Sequence, residues 1–288
     1  MKKQKNTSKR PRIKRVLLIL LNSFLVLLIS FLASLHISNT CIKVSYHIIE
    51  SEKVNSPIRI AVVSDLHSKV FEEDNTPLYA KIAENNPHLI FAVGDMITKS
   101  HTEPQYIDAL GKVVSSLCEI APVYYSLGNH ELSNPLLEEI KLTIAENGAV
   151  LLENETEDID VNGNTLRLMG LSYYRSWDKE QNRFLYNSLQ DSENIFSVLL
   201  CHFPEFYIWG IKNHSVDLTV SGHTHGGMVK LPLIGPLFAP EQGWFPKYAA
   251  GFYEMENGYL AVTTGLGSSP ENLPRVFNRP EIMIIDVK

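Results

Sequence analysis

Five short apolar runs in this chain each end in residues that bind metals or move protons. IRIAVV (58–63) leads into Ser64-Asp65-Leu66-His67, HLIFAV (88–93) into Gly94-Asp95, and PVYYSL (122–127) into Gly128-Asn129-His130-Glu131. FSVLL (196–200) leads into Cys201-His202, and VDLTV (216–220) into Ser221-Gly222-His223-Thr224-His225. Asp65 and His67 stand two apart, so in extended chain they face the same way, and His223 and His225 repeat that spacing. Taken singly these are ordinary features: Gly-Asp is usually a turn, and a lone histidine usually a hydrogen-bonded core residue. Together they supply two carboxylates, an amide and four or five imidazoles, too many for a mononuclear site of three or four protein ligands. Mixed O and N donors without thiolate suit Mn²⁺, Fe or Zn²⁺. Two such ions about 3.5–4 Å apart clamp a phosphoryl group and ionise a water between them.

Something must bring the five run ends together. Apolar β-rich runs alternate with helical patterns from Ile58 onward, the mark of an α/β layered architecture. In open α/β sheets ligands gather outside the carboxyl ends of the strands, where all five motifs fall. The spacing predicts helices over Leu78–Asn85, Gln105–Leu117 and Pro135–Asn147, the last stopped by Gly148. Asn162-Gly163 predicts a hairpin within residues 148–170. Ile42, Val44, Tyr46 and Ile48 alternate as a strand would. No second domain is indicated.

The amino-terminal part is different. Eight of the 26 Lys and Arg residues and none of the 32 Asp and Glu residues lie in residues 1–35, leaving 18 basic against 32 acidic residues and a net charge of −14 over the rest. So acidic a domain argues against nucleic-acid binding. Val16–Leu35 is a run of 20 uncharged residues. As a helix rising 1.5 Å per residue it is about 30 Å long, the thickness of a bilayer core. The basic cluster before it predicts an amino terminus held inside and a chain that emerges on the other side. The run exceeds an ordinary signal-peptide core and no clean cleavage site follows, so an uncleaved signal anchor is expected. This divides the chain into a basic tail (1–15), a transmembrane anchor (16–35), a linker with a first strand (36–57) and a catalytic domain (58–288).

The motif series, in this order and spacing, resembles the calcineurin-like metallophosphoesterase family over residues 58–287. The block Ser221–Pro232 and the anchor are similar to its membrane-associated bacterial branch, the YkuE/YaeI-like proteins. The resemblance implies a four-layer αββα sandwich with two divalent metal ions. Asp65, His67 and His225 would hold the first, Asn129, His202 and His223 the second, and Asp95 would bridge them. His130 would act on the phosphate or the leaving oxygen, oriented by Glu131. Two positions depart from the family pattern: Thr98 stands where a further Asp is frequent, and Met228 where Gln is frequent.

The remaining candidates are open. Arg275 either contacts a substrate phosphate or forms a surface salt bridge. The segment from Leu231 to Phe245, with Pro232, Pro236, Pro240 and Trp244, admits a lipid, shields the site or packs on the domain. Cys201 reads as a buried core thiol, and three scattered cysteines do not describe a disulfide framework. His36, His47, His88, His101 and His214 have no motif context. The expected activity is metal-assisted hydrolysis of a phosphodiester or phosphoanhydride, with an envelope or lipid-linked substrate suggested by the anchor. The rival readings are a phosphomonoesterase on the same centre and a non-catalytic metal-binding surface protein.

Overall fold

A strand's side chains alternate between its two faces, so a run that is apolar on both faces needs cover on both. That is how the six-residue runs are used. In the computed structural model, which describes residues 10–172, 177–269 and 273–288, they form two six-stranded sheets. The first contains β1 (Lys43–Ile49), β2 (Ile58–Val63), β3 (Leu89–Val93), β4 (Val123–Ser126) and β5 (Val150–Leu151). The second contains β6 (Thr156–Val161), β7 (Asn164–Leu171), β8 (Phe196–Cys201) and β9 (Leu218–Ser221). Four two-residue strands follow as two small hairpins: β10 (Lys230–Leu231) with β11 (Gly235–Pro236), and β12 (Phe238–Ala239) with β13 (Gly243–Trp244). The chain then adds β14 (Gly251–Met255) and β15 (Gly258–Val262) to the second sheet and returns β16 (Glu281–Val287) to the first. The sheet orders are β1-β16-β2-β3-β4-β5 and β14-β15-β9-β8-β7-β6.

Among the described residues seven α-helices accompany them: α1 (Arg10–Thr40), α2 (Thr76–Ala83), α3 (Pro104–Cys118), α4 (Asn129–Leu132), α5 (Leu137–Glu146), α6 (Lys179–Ser188) and α7 (Glu205–Trp209). Ile58, Ile60 and Val62 of β2 meet Val198 and Leu200 of β8 in a core between the sheets. Ala61 and Val63 face the other way, onto Ile82 of α2, Val114 of α3 and Ile144 of α5. Leu199 and Cys201 of β8 face outward onto Leu185 of α6 and Phe206 of α7. Three apolar layers between four layers of structure make the expected αββα sandwich. Cys201 is the buried core thiol anticipated for it, and burial pushes its pKa up.

Within the first sheet β2, β3, β4 and β5 run parallel, and in the second β7, β8, β9 and β15 do so. The carboxyl ends of both sets therefore lie at one end of each sheet. The hairpin at Asn162-Gly163 joins β6 to β7, with both residues at the positive φ (49° and 77°) that its tight turn requires. Helix boundaries shift for local reasons. α2 starts two residues early because Pro77 suits its first turn. α5 starts at Leu137, since Asn134 Oδ1 accepts from Leu136 N at 2.9 Å and holds the chain in a turn until there. Helix α6 was not anticipated from apolar periodicity, because it is mostly polar. Its signal was a reciprocal cap: Asp178 accepts from Glu180 N, and Gln181 Oε1 accepts from Asp178 N.

The alternating stretch at 42–48 becomes β1, an edge strand parallel to β16. Helix α1 is longer than the apolar run, and its segment Ile13–Thr40 is long and apolar enough to cross a membrane. Residues 1–9, most of the basic tail, lie outside the described residues.

Candidate metal centre

The motifs converge because each strand end hands its chain to a backbone contact with its neighbour. Asp65 N donates to Gly94 O, and His67 N donates to Asp95 O, locking the loops after β2 and β3 together. Asp65, His67, Asp95, His223 and His225 all have positive φ, between 50° and 69°. Asp and His tolerate this left-handed region better than most residues, yet it is a strained set, sustained by its surroundings. The two sheets are joined at the site itself. The Asp65 carboxylate accepts the Ser64 hydroxyl at 2.6 Å and the main-chain N–H of His223, from the second sheet, at 3.1 Å.

Two triplets of ligand atoms result, each within 4.8 Å: Asp65, His67 and His225, and Asp95, His202 and His223. A third, His67, Asp95 and His130, overlaps both. Asp95 Oδ2 lies 3.1 Å from His202 Nε2 and 3.9 Å from His67 Nε2, between the two triplets. His67 Nε2 lies 3.3 Å from His225 Nε2. The Nδ1 of His202 is 2.8 Å from Val93 O, a contact that fixes its proton there and aims Nε2 inward. Asn129 Oδ1 and His225 Nδ1 are buried without a hydrogen-bond partner, and His202 Nε2 faces the Asp95 carboxylate. Orphaned buried donors and acceptors are costly unless something binds them, and a divalent cation fits this O and N set.

The electrostatics agree. Burial raises Asp65, and lowers His67 to about 3 and His225 well below the usual imidazole value. Burial alone would lower His202 too, but the Asp95 and Asp65 carboxylates outweigh it and push it up to about 10. Burial would likewise raise Asp95, yet His202 and His67 hold it well below the carboxylate range.

His130 lies in the first turn of the short helix α4 beside this group, its ring 4.5 Å from that of His67. Its Nδ1 accepts from Lys99 N at 3.1 Å, so the neutral ring carries its proton on Nε2, which faces Ser269 Oγ at 3.4 Å. Glu131 has another task than orienting His130. Fully buried, it accepts Asp95 N (2.8 Å), Met96 N (2.7 Å), Gly128 N (2.9 Å) and the Tyr125 hydroxyl (2.8 Å), and so clamps the loop after β3 to the loop after β4. Asp95 returns the contact by accepting His130 N at 2.7 Å. Thr98, the departure noted above, puts its hydroxyl 3.3 Å from His67 Nδ1.

Arg275 requires a correction. It is fully buried, and its guanidinium donates to Gly267 O and Thr264 O (2.7 Å) and to His225 O (3.4 Å). It does not reach the surface. It braces the loop after β15, a sixth strand end that the motif series did not include; Gly265 of that loop is packed against Asp65. Asn278 Nδ2 also donates to His225 O, at 2.7 Å. Glu241, another residue without a motif, reaches in from the turn between β12 and β13 and sets Oε2 2.9 Å from His223 Nε2. Acidic turn residues are common, so only the fold marks it out.

Several known proteins are similar. The chain is 28% identical over 237 residues to the uncharacterized metallophosphoesterase YkuE of Bacillus subtilis, covering 80% of this chain and 79% of that protein. It is 26% identical over 239 residues to the phosphodiesterase YaeI of Escherichia coli, covering 81% and 83%. Among solved structures, TT1561 of Thermus thermophilus superposes with a TM-score of 0.49 at 12% identity, over 74% of this chain and 92% of that one. The model of the calcineurin-like phosphoesterase family matches residues 58–227, which carry every strand end of the two ligand triplets, and the chain belongs to that family of phosphoester hydrolases.

Proposed function

We propose that this chain is a membrane-anchored phosphoesterase with a binuclear metal centre, acting on a phosphodiester or phosphoanhydride of an envelope or lipid-linked substrate. The observation that carries the reading is the pair of ligand triplets with the Asp95 carboxylate between them. Asp65, His67 and His225 would hold one divalent ion, Asn129, His202 and His223 the other, with Asp95 shared. Two ions so held would supply positive charge to the phosphoryl oxygens and water in its nucleophilic form at neutral pH.

The chain's own residues do the rest. Burial lowers the His130 pKa, which keeps the ring neutral at neutral pH, and its Nε2–H can donate to a phosphoryl or leaving oxygen. Glu131 and the Asp95 carboxylate hold the main chain of His130 and the Gly-Asp loop in one arrangement, so donor and ligands keep a common geometry. The relative YaeI is named a phosphodiesterase, which favours diesters as first substrates. The apolar helix α1 and the basic residues before it favour an anchor in the cytoplasmic membrane, with the catalytic domain outside.

The test is hydrolysis of bis-p-nitrophenyl phosphate and p-nitrophenyl phosphate by the full chain in detergent micelles, metal-stripped and then given Mn²⁺, Zn²⁺ or Fe²⁺. Metal-dependent turnover that Asp95→Asn and His130→Ala both abolish is the expected result. Faster turnover of the monoester would move the assignment to a phosphomonoesterase. A folded chain that binds fewer than two ions would overturn the binuclear reading. One that binds two and hydrolyses nothing would favour a binding role.

A further inference from the structure

The arm formed by β10 to β13 is built inside out. From Leu231 to Pro246 the only side chains with a polar group, the Trp244 indole apart, are Glu241 and Gln242. Both reach back to the domain: Glu241, itself still exposed on one side, to His223, and Gln242 to Glu205 Oε1 at 2.7 Å and to the backbone of Tyr248. The apolar side chains point out. Leu233 is fully exposed at the tip of the first hairpin beside Ile234 (63% exposed), and Phe238, Trp244 (68%) and Phe245 are exposed on the second. These are not loose ends. Leu231 pairs with Gly235 and Phe238 with Trp244, whose rings sit edge to face 5.7 Å apart. A cluster of large apolar side chains held rigidly in water marks an interaction surface.

What covers it follows from what the arm is attached to. Lys230 N donates to Val276 O at 2.9 Å, joining the arm to the segment 275–279. That segment is hydrogen-bonded to α1: Phe277 N to Ser34 Oγ (2.7 Å), Asn278 N to Ser38 Oγ (3.1 Å), and Arg275 with Asn39 in both directions (3.1 and 3.0 Å). Lys69 Nζ adds a bond to Asn39 O at 2.8 Å. The anchor thus meets the catalytic domain through a fixed joint. Ser34 is the penultimate residue of the uncharged run Val16–Leu35, so Phe277, itself partly exposed, lies level with the end of that run to within about one helical rise of 1.5 Å. The bilayer surface and the arm are then neighbours.

We propose that the 231–245 arm is a membrane seat, with Leu233, Ile234, Phe238, Trp244 and Phe245 entering the interfacial layer of the same bilayer that α1 crosses. The inference rests on the anchoring reading above. Trp and Phe suit that layer, where an apolar ring meets headgroups. Because α1 already holds the domain there, seating the arm adds little association entropy to overcome. Glu241 ties the inner face of the same arm to His223, so the seat sets the candidate metal centre against the membrane, within reach of phosphates carried by lipids.

The experiment uses the full chain reconstituted in phosphatidylethanolamine/phosphatidylglycerol vesicles containing lipids with a nitroxide near the headgroup or near the chain end. The Trp244 signal is the fluorescence difference between the unaltered chain and Trp244→Phe. Quenching of that signal by the shallow nitroxide, stronger than by the deep one and lost in Leu233→Asp/Ile234→Asp, is expected, with bis-p-nitrophenyl phosphate hydrolysis in detergent unchanged by the pair. Vesicle flotation at alkaline pH reads the anchor separately. A chain that floats but whose Trp244 is not quenched overturns the seat and leaves the anchor standing, whereas a chain that does not float overturns the anchor itself. Trp244 shielded from aqueous iodide as well as from the lipid nitroxides would mean that a second copy of the chain covers the arm, and would also overturn the seat.

Discussion

Replacing Glu131 by Gln keeps the shape of the side chain and removes one acceptor, so its effect can be worked from the five bonds that Glu131 accepts, four of them short and one, from Ile97 N to Oε1, long at 3.5 Å. Oε1 takes Met96 N and the Tyr125 hydroxyl, and Oε2 takes Asp95 N and Gly128 N. If the new amide nitrogen replaced Oε2, it would face two main-chain donors and orphan both. If it replaces Oε1, the Tyr125 hydroxyl can rotate to accept, and one short main-chain bond, from Met96 N, is lost with the long Ile97 N contact, so the second orientation wins. One buried unsatisfied N–H costs about 1–3 kcal/mol. The three surviving bonds weaken when the carboxylate charge is lost, but that loss also removes a charge fully buried in the core, so these two changes offset in sign. Glu131→Gln is therefore expected to lose about 1–3 kcal/mol of stability. Tyr125→Phe, which removes one bond and leaves four main-chain donors on an intact carboxylate, should lose about 1 kcal/mol. Urea unfolding of the full chain in detergent, followed by far-UV circular dichroism, measures both. The double variant should lose less than the sum, because the amide has already upset the Tyr125 contact. If Glu131→Gln unfolds within about 0.5 kcal/mol of the unaltered chain, the clamp between the two loops is not what holds them, and the reasoning fails.

Arg275→Lys is expected to lower stability by about 2 kcal/mol or more, since a single ammonium cannot serve Gly267 O, Thr264 O and His225 O together; an unchanged melting temperature with a raised KM would restore a substrate role. Glu241→Ala should weaken binding at the His223 side by roughly 10–100-fold in a chelator competition, with activity recovered at high metal concentration. Gly94→Ala should cost about 1–3 kcal/mol, because Gly94 has φ +73° and a Cβ there would lie 2.5 Å from Gly128 N; melting curves test it. Lys230 titrates at about 8, lowered from 10.5 by burial and then by Lys43, so the folded chain binds fewer protons than the unfolded one between those values and grows more stable as pH rises through that window. Lys230→Met should therefore stabilise most below pH 8, by up to about 3 kcal/mol before discounting for solvent reaching the ammonium, and progressively less toward pH 10.5, as read by unfolding across that range.

The local chemistry of this protein was legible before any fold was known. Asp65, His67, Asp95, Asn129, His202, His223 and His225 stand immediately after apolar runs, and the rule that strand ends line one crevice is enough to group them. The same holds for the hairpin at Asn162-Gly163, where the turn itself requires those residue types. Helix α6 shows the limit of periodicity: its cap was written in Asp178 and Gln181, but its apolar face is too narrow to stand out.

What only the tertiary structure decided concerns residues whose partners are distant along the chain. Arg275 looked like a substrate contact or a surface ion pair in a Pro- and Gly-rich segment, yet its partners are carbonyls 8, 11 and 50 residues away, and they take it out of solvent altogether. Glu131 was read beside its neighbour His130, but four of its five donors belong to Asp95, Met96, Ile97 and Tyr125. Glu241 acquires a role only because the arm folds back onto His223, and the apolar side chains of that arm become a surface feature only once its polar ones are paired with the domain. Residue type and local spacing determine which groups are able to bind or donate, because those capacities belong to the side chain and its immediate backbone. Which of them are buried, paired or left facing outward depends on long-range packing, and that is settled only when the two sheets close on each other.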